Sequence, residues 1–134
     1  MTIRRISAAV LFVQDLNTCM TFYRDILGFQ VTFSDSDSFA FRVEDQDFVL
    51  LKLSAAADMV GEAALGLHNE AGHRVLLCAH VEDVDAAYHA LTAKGIAFIK
   101  PPISQPWGRR TAYFADPEGN LWEIWQSTDS EQQT

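Results

Sequence analysis

Cysteine is scarce here. Cys19 and Cys78 are the only two in 134 residues, and each is flanked by periodic apolar residues, so they read as buried free thiols rather than a disulfide or a metal pair. Positive charge is short as well: 10 Lys and Arg stand against 18 Asp and Glu, a net charge of −8. Such a balance repels nucleic acid and anionic membrane and mildly favours cationic ligands. No apolar run reaches the length of a spanning helix, and the first residues lack a signal peptide's hydrophobic block and cleavage site, so the expected compartment is the cytoplasm. No catalytic triad, P-loop, dinucleotide fingerprint or paired-cysteine metal motif is found.

What is present begins with the stretch Ala112 to Trp125. Asp116-Pro117-Glu118-Gly119-Asn120 combines a proline-fixed φ, a glycine free to take φ > 0, and Asx side chains that bond their own backbone, which predicts a chain reversal. Leu121 to Gln126 then reads as a strand with Leu121, Glu123 and Trp125 on one face and Trp122, Ile124 and Gln126 on the other. Glu123 therefore lies between apolar neighbours. A carboxylate there needs a proton, a cation or a hydrogen-bond donor; the alternative is an acid at the solvated end of the strand.

Along the chain, Arg4 to Val13 reads as a strand buried on both faces. Asp15 caps a helix carrying Leu16, Cys19, Met20, Tyr23 and Leu27, which Gly28 ends. Phe29 to Phe33 predicts a second strand, and Phe39 to Val43 with Phe48 to Leu53 a hairpin around Glu44-Asp45-Gln46-Asp47. Residues 55–72 form a linker in which a short helix has only weak apolar periodicity. The same order then returns: strand Arg74 to Val81, Asp83 as cap, a helix carrying Val84, Ala87, Tyr88 and Leu91, and Gly95 as its stop. Ile96 to Lys100, a break at Pro101-Pro102, Arg110 to Ala115 and Leu121 to Gln126 complete it. The chain thus reads as α+β, a single domain over 1–134 made of two β-α-β-β-β modules, 4–54 and 73–127, with a frayed tail at 128–134. Putting both open sheets together, helices outside, gives a cupped mixed sheet enclosing one pocket.

The paired modules, Phe22-Tyr23-Arg24-Asp25-Ile26-Leu27-Gly28-Phe29 in the first, and Trp107-Gly108 through Asp116-Pro117-Glu118-Gly119-Asn120-Leu121-Trp122-Glu123 in the second resemble the vicinal oxygen chelate superfamily. That group includes glyoxalase I, extradiol dioxygenases, fosfomycin-resistance enzymes and bleomycin-resistance proteins. The resemblance runs from about Ile6 to Gln126 and implies the glyoxalase/bleomycin-resistance fold and a homodimer. It does not specify a function.

The resemblance also implies a divalent metal in the cup, held by the first and last strands of each module. Its ligand positions fall here on Ala8, Leu76, Glu123 and one of Leu50 to Lys52. Only Glu123 has a ligand side chain, and one carboxylate does not hold Mg²⁺, Mn²⁺ or Zn²⁺ usefully. His80 shares the parity of Leu76 but stands four residues away, about 13 Å along a strand. His68 and His73 flank a loop, and His89 should be exposed on its helix.

Strand parity suggests a cup lined by Ala8, Val10 and Phe12, by Phe39 and Phe41, by Leu76, Cys78 and His80, by Arg110, Ala112 and Phe114, and by Leu121, Glu123 and Trp125, with Trp107 at the mouth. Such a lining suits a flat, partly aromatic ligand with a basic group or a hydrogen-bond donor. The competing reading is that the aromatics pack as core while Glu123 pairs with Arg110. The leading expectation is a metal-free small-molecule-binding protein of the bleomycin-resistance type, without a cofactor, with Glu123 meeting a ligand cation. The alternatives are a metal-dependent lyase, isomerase or dioxygenase with unusual ligands, or a cofactor-free enzyme using Glu123 as general base.

Overall fold

The computed structural model describes residues 6–62 and 75–128. It divides into two compact units, Met1–Glu70 and Ala71–Thr134. Each holds a four-stranded mixed sheet, and the architecture is α+β.

In the first unit, β1 (Ala8–Val13) lies parallel to β4 (Gln46–Lys52), which pairs antiparallel with β3 (Ser38–Val43), and β3 with β2 (Gln30–Ser34), giving the order β1-β4-β3-β2. The Asp15 carboxylate accepts the Thr18 N–H at 3.0 Å and starts α1 (Leu16–Thr21). The sequence predicts one helix as far as Leu27; instead residues Phe22–Ile26 form a π-helical turn, in which the Leu27 N–H reaches back to the Phe22 carbonyl. The wider turn lets two consecutive aromatics point inward, Phe22 at 7% and Tyr23 at 0% exposure. Gly28, at φ 77°, ends it.

Tyr23 is the centre of an aromatic cluster, its ring 4.9 Å from that of Phe48, 5.9 Å from Phe29 and 6.1 Å from Phe41. These rings cover one face of the sheet together with Leu11, Val13 and Leu50. The opposite face carries Val10, Phe12 and Phe33, all exposed. The β3–β4 hairpin closes through Glu44–Asp45, with Val43 paired to Gln46, a tighter turn than the four residues expected. The helix α2 (Leu53–Val60) forms where the sequence predicts the start of a linker. It packs on β4 and β1, burying Ala56 completely, a tertiary contact that overrides its weak periodicity.

The second unit repeats the plan: β5 (Leu76–His80), α3 (Val84–Ala93), β6 (Lys100–Ser104), β7 (Arg109–Ala115) and β8 (Leu121–Ser127), in the order β5-β8-β7-β6 with only β5–β8 parallel. Asp83 caps α3 by accepting the Ala86 N–H, and the Gln126 side-chain carbonyl accepts the Val84 N–H at 2.6 Å, tying the helix start to β8. Val84 of α3 is buried, as are Ala112, Phe114, Trp122 and Ile124 of the sheet; the Phe114 and Trp122 rings stack 4° from parallel. The strand expected at Ile96 to Lys100 lies further on. Pro101 and Pro102 are inside β6, which the sheet tolerates because β6 is an edge strand whose register shifts between Lys100 and Ile103.

Asp116 closes the β7–β8 turn. Its carboxylate accepts the N–H groups of Glu118 and Asn120 at 2.9 and 2.8 Å and the Asn120 side-chain amide at 2.8 Å, while Gly119 takes φ 86°. The turn fixes the register Ala115 to Leu121, and with it which side chains of β7 share a face with Glu123.

Candidate functional site

Registered partners across strands share a face, so the Glu123 face of the second sheet is determined by its pairings. Cys78, Glu123 and Tyr113 stand in one row, with His80, Trp125 and Thr111 in the next. Glu123 is buried, 8% exposed. The Tyr113 hydroxyl donates to its Oε1 at 2.6 Å. Burial first, and the hydrogen bond to Glu123 second, push the Tyr113 pKa above the usual tyrosine value. Cys78 answers from the other side. Its thiol is raised above the ordinary cysteine value by burial and then by the charge and hydrogen bonding of Glu123, against a smaller lowering by Arg109. The carboxylate thus has the phenol hydrogen-bonded to it from one strand and the thiol registered beside it on the other.

Beyond this row, the Arg109 guanidinium lies over the Trp125 ring, 3.6 Å from its centroid, and the His80 ring meets Trp125 edge-on at 4.7 Å. Thr111 is fully buried and accepts a hydrogen bond from the Gln105 side-chain amide at 3.0 Å. The face therefore joins a fixed carboxylate, a phenol, a hydroxyl and a guanidinium stacked on an indole.

The residues picked out from sequence separate into three groups. Glu123, Trp125 and His80 come together on this face. Trp107 is 64% exposed in the β6–β7 connection, and Phe12 lies on the open face of the first unit's sheet. Phe39, Phe41, Arg110 and Phe114 are on the opposite faces of their sheets. Phe41 pairs with Phe48 in the helix-covered core, Phe39 is registered with the buried Leu50, and Phe114 packs between Phe98 and Trp122. Arg110 is not the partner of Glu123. Its Nε and Nη2 donate to the two Asp85 carboxylate oxygens at 2.7 and 2.9 Å, and its Nη1 to Ser104.

Tyr113, Arg109 and Thr111 were missed by a single-residue slip in the parity of β7. The length of the Asp116–Asn120 turn was the available signal. Cys78, expected to be buried, is exposed because β5 is an edge strand, whereas Cys19 is buried. His89 is exposed, as expected. His68 and His73 lie outside the described residues.

A metal centre does not fit these side chains. Of the positions that the resemblance assigns to ligands, Ala8 and Leu76 are alkyl. Within Leu50 to Lys52 only Leu51 shares the face of Ala8, again alkyl. Among the described residues no three His, Cys, Asp or Glu side chains converge as a metal site would require. A depression of about 550 Å³ in the first unit, lined by Gln14, Asp15, Asn17, Asp35 and Lys52, offers no alternative centre. Its carboxylates are occupied, Asp15 as helix cap and Asp35 in accepting from Asp37 and Ser38.

Two β-α-β-β-β units, each with a helix on one face of a four-stranded mixed sheet, define the class of proteins with the glyoxalase/bleomycin-resistance fold. The chain belongs to the glyoxalase/bleomycin resistance protein/dioxygenase superfamily, whose family model matches residues 5–124. It is 35% identical over 119 residues to the uncharacterized protein YraH of Bacillus subtilis, covering 87% of this chain and 93% of that one. A crystal structure of a glyoxalase/bleomycin resistance protein/dioxygenase from Nocardioides is similar at a TM-score of 0.81 and 26% identity, over 96% of this chain and 88% of the other. The lactoylglutathione lyase of Agrobacterium tumefaciens shares the fold at a TM-score of 0.69 and 22% identity, over 92% and 94% of the two chains. No helix among the described residues is long and apolar enough to cross a membrane.

Proposed function

We propose that this protein is a metal-free small-molecule-binding member of its superfamily, with its site on the Glu123 face of the second sheet. The observation that carries this reading is the 2.6 Å hydrogen bond from the Tyr113 hydroxyl to Glu123. A carboxylate that is 8% exposed and tied to the phenol beside it is oriented before anything binds. One of its oxygens is engaged inside the sheet, which leaves the other lone pairs to accept from a ligand. Trp125 and His80 supply ring surface next to it. The ligand that suits this face is small and partly aromatic, and it presents a hydrogen-bond donor or a basic group to Glu123.

Metal analysis of the purified protein, without prior chelation, tests the reading. No stoichiometric divalent ion is expected. A tightly held ion that is lost in Glu123→Ala would overturn it in favour of a metal-dependent enzyme.

A further inference from the structure

We infer that Arg109 receives a carboxylate of the ligand, so that the compound taken by the Glu123 face is an aromatic acid. This rests on the reading of that face as a binding site. The two adjacent arginines of β7 provide the contrast. Arg110, on the helix side, has its fork filled by both Asp85 oxygens and by Ser104. Arg109 points to the other side, onto Trp125. Among the described residues no carboxylate lies within ion-pair distance of it. A guanidinium in a protein with a net charge of −8 has many carboxylates to choose from, yet this half-buried one is spent on an indole face.

Stacking fixes the plane of the guanidinium and leaves its N–H groups at the rim of the ring, where a planar, two-oxygen acceptor meets them side by side. The ammonium of a lysine would not present that fork. Charge narrows the class further. Glu123 and Arg109 share this face, and their opposite charges both act on the Cys78 thiol. A dianionic phosphate would be repelled by Glu123 more strongly than a single carboxylate. A ligand bearing one carboxylate for Arg109, a donor for Glu123 and a ring between them satisfies the three chemistries of the face.

Two probes that share a ring and a phenolic donor separate the acid from the rest: 4-hydroxybenzoate, and 4-hydroxybenzylamine, which carries an aminomethyl group in place of the carboxylate. Binding is followed through the Trp125 indole N–H and the Arg109 Nε–H resonances in ¹⁵N spectra of the full chain. 4-Hydroxybenzoate is expected to bind and shift both signals. Arg109→Met should weaken it by about tenfold or more, as loss of a charge-assisted contact does. Arg109→Lys, which keeps the charge and loses the fork, should recover only part of that. Arg110→Met, on the other face, should bind as wild type, and matching melting temperatures would show that the variants are folded. Binding of 4-hydroxybenzylamine but not 4-hydroxybenzoate overturns the assignment of Arg109 and leaves the Glu123 site standing. Failure of both probes overturns both, and wild-type affinity of Arg109→Met for the acid overturns the inference alone.

Discussion

Replacing Tyr113 with Phe removes one oxygen and leaves the ring, so it isolates the hydrogen bond that orients Glu123. The bond is short, 2.6 Å, and its acceptor is a carboxylate only 8% exposed. Hydrogen bonds to charged groups contribute about 1.5–3 kcal/mol net. Tyr113→Phe should therefore cost about 2 kcal/mol, because little water reaches Glu123 to replace the lost donor. Glu123→Gln keeps an acceptor opposite the phenol and should cost less, about 1 kcal/mol. The double variant should show a coupling of about 1–2 kcal/mol.

Urea unfolding read by tryptophan fluorescence is the suitable assay, since Trp107, Trp122 and Trp125, the only three, all lie in the second unit. A pH series adds an independent check. The folded-state pKa of Tyr113 is raised, so the fold favours the neutral phenol. That contribution is fully present below the unfolded tyrosine value of about 10 and is lost as pH rises through the higher folded value. The wild type should lose stability relative to Tyr113→Phe from about pH 10 upward. A difference under about 0.5 kcal/mol at neutral pH, within the range of ordinary surface substitutions, together with parallel pH curves, would refute the role given to this bond.

Two further outcomes follow from the same site and its turn. Cys78 is exposed, yet its thiol is raised by burial and by Glu123. Its alkylation by iodoacetamide at pH 8 should be slower than that of a free thiol and faster in Glu123→Gln, and an unchanged or slower rate in that variant would contradict the pairing. Asp116, 5% exposed, holds three donors of the β7–β8 turn. Asp116→Ala should destabilise the second unit by about 2–3 kcal/mol in the same urea assay, and an unmoved midpoint would show that the turn closes without it.

Most of the fold was legible because its signals are local. Asp15 and Asp83 cap their helices as their positions suggest, and the repeat of strand, capped helix and hairpin is visible in the residue order. What was lost is face assignment, which is not local. In β7 the odd residues, Tyr113 among them, share a face with Glu123 only because the turn places Ala115 opposite Leu121. A slip of one residue exchanges every side chain between the faces of a strand. It exchanged Arg109 for Arg110 and Tyr113 for Phe114. The same error in β3 put Phe39 and Phe41 in the cup, where the two-residue turn at Glu44–Asp45 sends them to the core. The π-helical turn at Phe22 was hidden for another reason: its apolar spacing still fits an ordinary helix, and what distinguishes it is the Leu27-to-Phe22 backbone bond and the burial of two adjacent aromatics.

The parallel pairing of β1 with β4 and of β5 with β8 has a consequence for how the chain is made. In each unit the first strand waits for the last. Leu76 has no sheet partner until Leu121, 45 positions later, has been synthesised; β8 occupies the centre of the sheet between β5 and β7. Until then α3 and the β6–β7 pair lack the strand carrying Trp122 and Ile124, so the second unit has no core to close over. The loop that must close is long and the contacts that reward closure arrive together, which makes folding of the unit late and all-or-none. During synthesis the first unit, whose last strand ends at Lys52, has its complete sheet long before the second. A chain that stops short of Leu121 therefore carries β5 without the strand it pairs with, and β8 is the element that joins β5 to β7.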